Sequence, residues 1–451
     1  MHDVEQDFAA WEEACRSANF FPAGVTAHVA RAPGRLDVMG GIADYSGSLV
    51  AEMPIAQATV AGVVLGDTEN GAVVVRSANA AAEGLAETVV FPQEVFTNPV
   101  SLLKFVREAP ENERWAGYAA GCLAILRAEA LAPRGMGAQI LVRSEVPLGG
   151  GVSSSAALEV ATMRALCAAF NISLDGLTLA RFCQQVENDV MDAPCGIMDQ
   201  VTSSLGEAGK LLLLLCQPYN LRGTVVLPEG WSVLGLDSGV KHSVGGTAYT
   251  RVRVAAFMGY KILTDRTKKG FRGYLANVSP EEYQSWTQND PLPETLRGAD
   301  FLQVHGGIYD TVTRVEPEES YPVRAATAHP IHEMARVQRF VECLHDGSDA
   351  AMEEAGSLMY GSHESYSACG LGAAETDLLV TLAREQDGVA GAKITGGGSG
   401  GTVCILCRSE REEAVIEAVT TAYAAQTGIT PRVIRGTSPG AMVTEPRILL
   451  I

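Results

Sequence analysis

Residues Pro147-Leu-Gly-Gly-Gly-Val-Ser-Ser-Ser-Ala-Ala-Leu-Glu159 set three glycines and three serines ahead of an apolar, helix-like run. Gly149, Gly150 and Gly151 permit tight, left-handed backbone. Ser153, Ser154 and Ser155 can cap the helix and leave its first N–H groups free. A helix start of that kind attracts anions, so the segment Gly149–Ser155, with Val152 inside it, is expected to hold phosphate. No Lys-Ser/Thr pair follows the glycines, which rules out the Walker pattern. In isolation an ordinary glycine-rich turn would read the same way.

Two further stretches carry comparable chemistry. Ala32-Pro-Gly-Arg-Leu-Asp-Val-Met-Gly-Gly-Ile-Ala-Asp-Tyr-Ser-Gly47 combines turn-formers with Arg35, Asp37 and Asp44. Arg35 on its own also fits a surface ion pair. Lys393-Ile-Thr-Gly-Gly-Gly-Ser-Gly-Gly-Thr402 lies between two expected strands, where glycines let backbone approach a ligand or another loop. It matches the dinucleotide fingerprint, but a strand follows where a helix is required. It also matches the hydrolase nucleophile elbow, yet no histidine follows Ser399, so the usual triad order is impossible.

The elements that must position these residues come in blocks. Strands are expected at 25–31, 49–65 and 72–77, then helices at 99–109 and 114–131, then strand 138–144 and the phosphate loop. Helices at 174–192 and 198–206 precede strands at 211–216 and 232–237. A helix over 247–264 and a polar surface excursion over 265–300 follow. Helices at 328–346, 349–367 and 373–386 lead to strands 389–395 and 402–407, helix 410–425, and strands 431–436 and 440–444. Blocks of this kind indicate an α+β fold. A division near residue 215 would separate a phosphate-loop domain, 1–215, from a second domain, 216–451.

The 451 residues are 47% hydrophobic and 19% charged, with a net charge of −19, which argues against general nucleic-acid binding. No apolar run is long enough to span a bilayer. The acidic start (Asp3, Glu5, Asp7, Glu12, Glu13) fits an amphipathic helix and not a targeting signal. Ten scattered cysteines fit a reducing cytoplasm. Cys404 and Cys407, at i and i+3 of a strand, face opposite sides.

Taken in order, Pro-Gly-Arg…Asp-Tyr-x-Gly, Pro-Leu-Gly-Gly-Gly-x-Ser-Ser-Ser-Ala-Ala and Gly-Gly-Gly-x-Gly-Gly resemble the three motifs of the GHMP kinases. Asp192-Ala-Pro-Cys-Gly-Ile-Met-Asp-Gln200 and Asp237-Ser-Gly-Val-Lys-His-Ser243 resemble the galactokinase family in particular. The resemblance covers roughly residues 25 to 445. It implies a two-domain GHMP kinase fold, with a ribosomal-S5-domain-2-like N-terminal domain and a ferredoxin-like C-terminal domain. It also implies transfer of the ATP γ-phosphoryl to a small hydroxyl, a reaction governed by positioning and charge neutralisation.

Onto the matching residues the resemblance carries specific roles. Asp199 faces the attacking hydroxyl and Arg35 stands beside it. Ser155 (or Ser154) and Glu187 are the protein contacts of Mg2+. Asp44, backbone at Gly196, and Tyr249 hold the sugar. Without the family, Glu187 reads as a solvated helix carboxylate. Asp199 reads equally as a helix cap, and Tyr249 as packing.

One departure bears on the substrate. Galactokinases carry Gly-Glu-His-Thr-Asp-Tyr where this chain has Gly40-Gly41-Ile42-Ala43-Asp44-Tyr45. Gly41 and Ile42 thus replace the two side chains that the resemblance places against a 6-hydroxyl. A buried hydroxyl without partners costs about 1–3 kcal/mol, which disfavours a hexose with that group. The pyranose that keeps galactose's ring hydroxyls but lacks C6 is L-arabinose, and the wording of this motif resembles the plant arabinokinases. The expected reaction is therefore ATP plus L-arabinose giving L-arabinose 1-phosphate and ADP. The alternatives are a galactose or uronic-acid 1-kinase and, in another class, a non-catalytic sugar sensor. Asp37 also departs from the usual asparagine, and Ser399 and Thr402 from phenylalanine and cysteine.

Overall fold

The computed structural model describes residues 2–66, 68–241 and 247–451; His242 and Ser243, at the end of the Asp237–Ser243 stretch, lie outside them. Helices are α1 (Val4–Ala18), α2 (Pro99–Glu108), α3 (Ala116–Ala128), α4 (Ser154–Ala169), α5 (Gly176–Gln185) and α6 (Met198–Leu205). After these come α7 (Thr247–Thr267), α8 (Pro280–Thr287), α9 (Gly298–His305), α10 (Val323–Asp346), α11 (Asp349–Ala368), α12 (Ala374–Arg384) and α13 (Glu412–Thr427).

The larger sheet contains β1 (Thr26–Met39), β2 (Leu49–Gly66), β3 (Val73–Ser77), β4 (Thr88–Phe91), β5 (Gly137–Ser144), β6 (Lys210–Leu215) and β7 (Asn220–Val226). β2 is long enough to pair twice. Leu49–Glu52 bonds to β6, and Thr59–Gly66 bonds to β5. Only β3 and β5 run parallel; every other pairing is antiparallel. The smaller sheet contains β8 (Trp231–Lys241), β11 (Val389–Ile394), β12 (Gly400–Arg408) and β13 (Arg432–Ile434), in the order β11-β12-β8-β13. With helices between β8 and β11 and between β12 and β13, this is the βαββαβ order of a ferredoxin-like domain. The stretch 265–300, expected as a polar surface excursion, carries α8 and β9 (Leu296–Arg297) and buries Leu275, Val278, Tyr283 and Leu292; β9 pairs with β10 (Ser320–Tyr321), which lies beyond it after α9.

The phosphate-loop helix α4 is apolar on most sides because it is enclosed. Ala156, Ala157, Val160, Ala161, Met163, Ala165 and Leu166 are all fully buried. A helix apolar all round belongs inside a protein. Cys404 and Cys407 do serve different cores, as strand alternation requires. No helix among the described residues is long and apolar enough to cross a membrane.

Three local readings are corrected. The strand expected at 440–444 is a turn region, tied by Gly440 N–H to Gly206 O and Ala441 N–H to Ser203 O. The terminal strand is instead β14 (Arg447–Leu450), which returns to pair with β1 in the larger sheet. β4 and β7 add to the expected strands: β4 is only four residues long, and β7 is mostly exposed. The helix expected over 174–192 is α5 followed by a π-helical turn, Val186–Val190. The larger sheet also runs past residue 215 to Val226 and takes in residues 447–450.

Candidate active site

The three glycine motifs meet along one cleft of about 550 Å³. At one end lies the 147–159 loop. Gly149, Gly151 and Ser153 all adopt left-handed backbone, with φ of 70°, 72° and 61°. Ser153 does not cap α4. Its side chain makes no capping bond, and its buried Oγ has no protein partner among the described residues. The helix start therefore keeps donors for an anion, by a route other than the expected serine cap. Gly149, Gly151, Ser153, Ser154 and Ser155 line the cleft, whereas Gly150 and Val152 are framework. The Gly150 carbonyl accepts from Thr402 Oγ1 at 2.7 Å, and the Val152 carbonyl accepts from Arg35 N–H at 3.1 Å.

The third motif packs on the first of these loops. A β-carbon on Gly396 would stand 2.5 Å from the Gly151 carbonyl oxygen, so only glycine allows the two backbones this approach. Thr402 thus has an account: its hydroxyl ties the third motif to the phosphate loop. For the replacement at Ser399 the structure offers no comparable bond from the side chain.

Arg35 is buried, contrary to a surface ion pair, and it divides its donors among several partners. Nε and Nη2 donate to Asp199 Oδ1 at 2.9 and 2.7 Å, and Nη1 donates to the Gly151 carbonyl at 2.7 Å. Behind it lies Glu52, with Oε2 3.3 Å from Arg35 Nε. Burial works against the guanidinium charge, but Asp199 and Glu52 outweigh it and hold the pKa raised. Asp199 sits in the first turn of α6, where the N-cap residue Ile197 makes no side-chain bond; its carboxylate goes to Arg35. Both guanidinium bonds fall on Oδ1. Among the described residues no hydrogen bond occupies Oδ2, and the side chain keeps 25% exposure to the cleft.

Ile42, Asp44, Gly196 and Tyr249 line the wall next to Asp199. Gly196 lies flat on Asp44, since a β-carbon there would be 1.5 Å from Asp44 Oδ2. Burial, and then the nearby charge of Asp199, push the Asp44 carboxyl up to about 7. Tyr249 meets Tyr45 edge-on at 5.8 Å. Gly41 is not part of this wall. Its missing side chain would point away from the cleft, into the Tyr366 hydroxyl and Asp37. Asp37 in turn pairs with Lys393 Nζ at 2.6 Å, both fully buried, which explains a carboxylate at that position.

Glu187 is buried by the π-helical turn and accepts from Ser155 Oγ at 2.7 Å. Desolvation pushes its carboxyl up to about 7. Among the described residues no cluster of three or more His, Cys, Asp or Glu side chains is set to hold a metal. One desolvated carboxylate beside a hydroxyl, at the phosphate loop, is nevertheless the donor set that Mg2+ takes when phosphates supply the remaining oxygens.

The far end of the cleft was not legible. Ser77 at the end of β3, Asn79 and Leu85 in the connection that follows it, and Trp115 and Tyr118 at the start of α3 form it, with no shared motif. Trp115 is fixed there by its Nε1 bond to the Ala86 carbonyl at 3.0 Å.

The chain is similar to known proteins. Residues 117–207 match the GHMP kinases N terminal domain, and residues 342–425 match the GHMP kinases C terminal domain. A galactokinase of Chloroflexus aggregans is 31% identical, over 89% of this chain and 89% of that protein. The chain belongs to the galactokinase family of GHMP kinases. Within the family, the L-arabinokinase of Arabidopsis thaliana is 39% identical over 92% of this chain, which spans 46% of that protein's length. A Lactococcus lactis galactokinase solved with galactose has the same fold, with a TM-score of 0.76 at 22% identity over 98% of this chain and all of that one.

Proposed function

We propose that this GHMP kinase is an ATP-dependent sugar 1-kinase acting on L-arabinose. The observation that carries the phosphotransfer reading is Asp199, pinned through Oδ1 by two Arg35 donors and open to the cleft through Oδ2, beside a phosphate loop. A carboxylate so placed orients the anomeric hydroxyl and accepts its proton. The sugar oxygen forms its bond to the γ-phosphorus as the bond from phosphorus to the bridging oxygen of ADP breaks. Arg35 stays charged throughout and offsets the negative charge that gathers beside it. Ser155 and Glu187 would hold Mg2+, whose charge offsets that of the ATP phosphates when it is bound.

Ile42 supports the choice of sugar. It is 1% exposed, apolar, and shares a wall with Asp44 and Gly196, so it offers a 6-hydroxyl no partner. It likewise offers a uronic acid no base. The likeness to the Arabidopsis L-arabinokinase points the same way. The ordered Arg35–Asp199 pair argues against a non-catalytic sensor. A cytoplasmic location fits the ten cysteines, none of which is in a disulfide.

The test is coupled ADP release with L-arabinose, D-galactose, D-glucuronate and D-galacturonate. L-Arabinose is expected to lead D-galactose by up to about a hundredfold in kcat/KM, the limit for an apolar pocket rejecting an added hydroxyl. Equal efficiency on the two would overturn the choice of sugar and leave the kinase reading standing.

A further inference from the structure

Three consecutive N–H groups of the sugar-side loop are each taken by a buried side chain from a different element. Gly40 N–H donates to Glu333 Oε1 of α10 at 3.2 Å, and Gly41 N–H donates to Asp37 Oδ1 of β1 at 3.0 Å. Ile42 N–H donates to the Tyr366 hydroxyl of α11 at 2.9 Å. All three acceptors are fully buried. Glu333 is held in place by Ser362 Oγ at 2.7 Å and by Arg336 Nε, 2.7 Å away. Asp37 is held by Lys393.

Tyr366 does the most. Its hydroxyl accepts from Ile42 N–H and has two acceptors for its one proton, the Gly396 carbonyl at 3.0 Å and, farther off, Asp37 Oδ2 at 3.5 Å; the shorter contact is to Gly396. One oxygen atom therefore ties the sugar wall to the glycine loop that packs on the phosphate loop. His329 meets the ring edge-on at 5.3 Å, which fixes its plane. The same oxygen lies 1.6 Å from where a β-carbon on residue 41 would be. A tyrosine at 366 and a side chain at 41 exclude each other.

We propose that Tyr366 is a specificity-determining positioning residue. From behind the cleft it sets the depth at which Ile42 closes the sugar site, and its hydroxyl keeps position 41 bare. The proposal rests on the sugar-kinase reading and deepens it, because selection at C6 then depends on a helix that never touches the sugar.

The experiment is Tyr366→Phe, which keeps the ring and its packing and removes only the hydroxyl. Kinetics on L-arabinose and D-galactose are read together with the thermal midpoint. The expected result is a KM for L-arabinose raised about five- to tenfold, the scale of one lost hydrogen bond, with kcat within about twofold. The ratio of kcat/KM between the two sugars should narrow by about threefold or more. Gly41→Ala is then made in both backgrounds. The strain of an alanine at φ 43° is common to both and cancels, so the cycle reads the hydroxyl alone. Gly41→Ala should cost less in the Tyr366→Phe background than in the wild-type one.

An unchanged KM and sugar ratio would overturn the proposal, whether or not the midpoint falls. Additive effects in the cycle would overturn the exclusion of position 41. A wild-type preference for D-galactose would instead remove the L-arabinose reading and leave this test intact, since it reads a change of ratio. If no sugar turns over, protection against heat by each sugar gives the ratio of their binding affinities without ATP, and a ratio unchanged by Tyr366→Phe overturns the proposal.

Discussion

At its phosphate-loop end the cleft is lined by a glycine–serine loop, Gly149–Ser155, braced by a second glycine loop. At the end near Asp199 the lining is mostly side chains (Ile42, Asp44 and Tyr249, with Gly196), and the backbone of Gly40–Ile42 is held by side chains from β1, α10 and α11. A site made of backbone recognises what all members of a chemical class share, here the phosphate. A site made of side chains can be changed one residue at a time, and that is where substrate choice can vary.

Three substitutions sharpen or break this contrast. The largest effect is expected between the two ends: Asp199→Asn should lower kcat about 10³-fold, with the KM for either substrate moved much less. Retained turnover would mean that Asp199 only orients the acceptor. Next is Gly396→Ala, which forces the two glycine loops apart. It should raise the KM for ATP roughly ten- to hundredfold, the scale of local backbone strain, and leave sugar binding nearly unchanged. Equal loss for both substrates would erase the distinction between the ends.

The smallest effect concerns pH and stability without ligands. Asp44 ionises near 3.8 when unperturbed and near 7 in the fold. Below about pH 4 both states carry its proton; between about 4 and 7 only the folded state does. Stability is thus lost as pH rises through that window, by at most about 1.4 kcal/mol per pH unit from this group. Glu187 adds a second loss of the same sign. Asp44→Asn should therefore leave a shallower slope in denaturant titrations between pH 5 and 7. An unaltered slope would show that Asp44 is ionised in the fold.

The contrast also governs what could be read from the chain. The phosphate-loop end is contiguous in sequence, so its glycines, serines and following apolar run announced a loop and a buried helix together. Arg35 and Asp199 were legible only through ordered motifs, because their bond spans 164 positions. The sugar end was half legible. Ile42 was placed in the wall, but Gly41 was given a role there that geometry denies it, since no pattern pairs it with Tyr366. The far end, from Ser77 to Tyr118, carries no local signal at all. The misplaced last strand has a similar cause: 440–444 and 447–450 are both short, and only the open edge of β1 decides between them.

The braced loops have a mechanical consequence. The chain crosses between the two sheets after Val226 and returns after Ile434, and the terminal strand then joins the opposite sheet. Near the cleft, Thr402 is bonded to Gly150 and Arg432 to the Glu145 carbonyl at 3.0 Å. A swing of one sheet against the other would have to break these two bonds. Two such bonds at the cleft set a local threshold against a jaw-like swing of the sheets. Give in a single loop that breaks neither bond costs less.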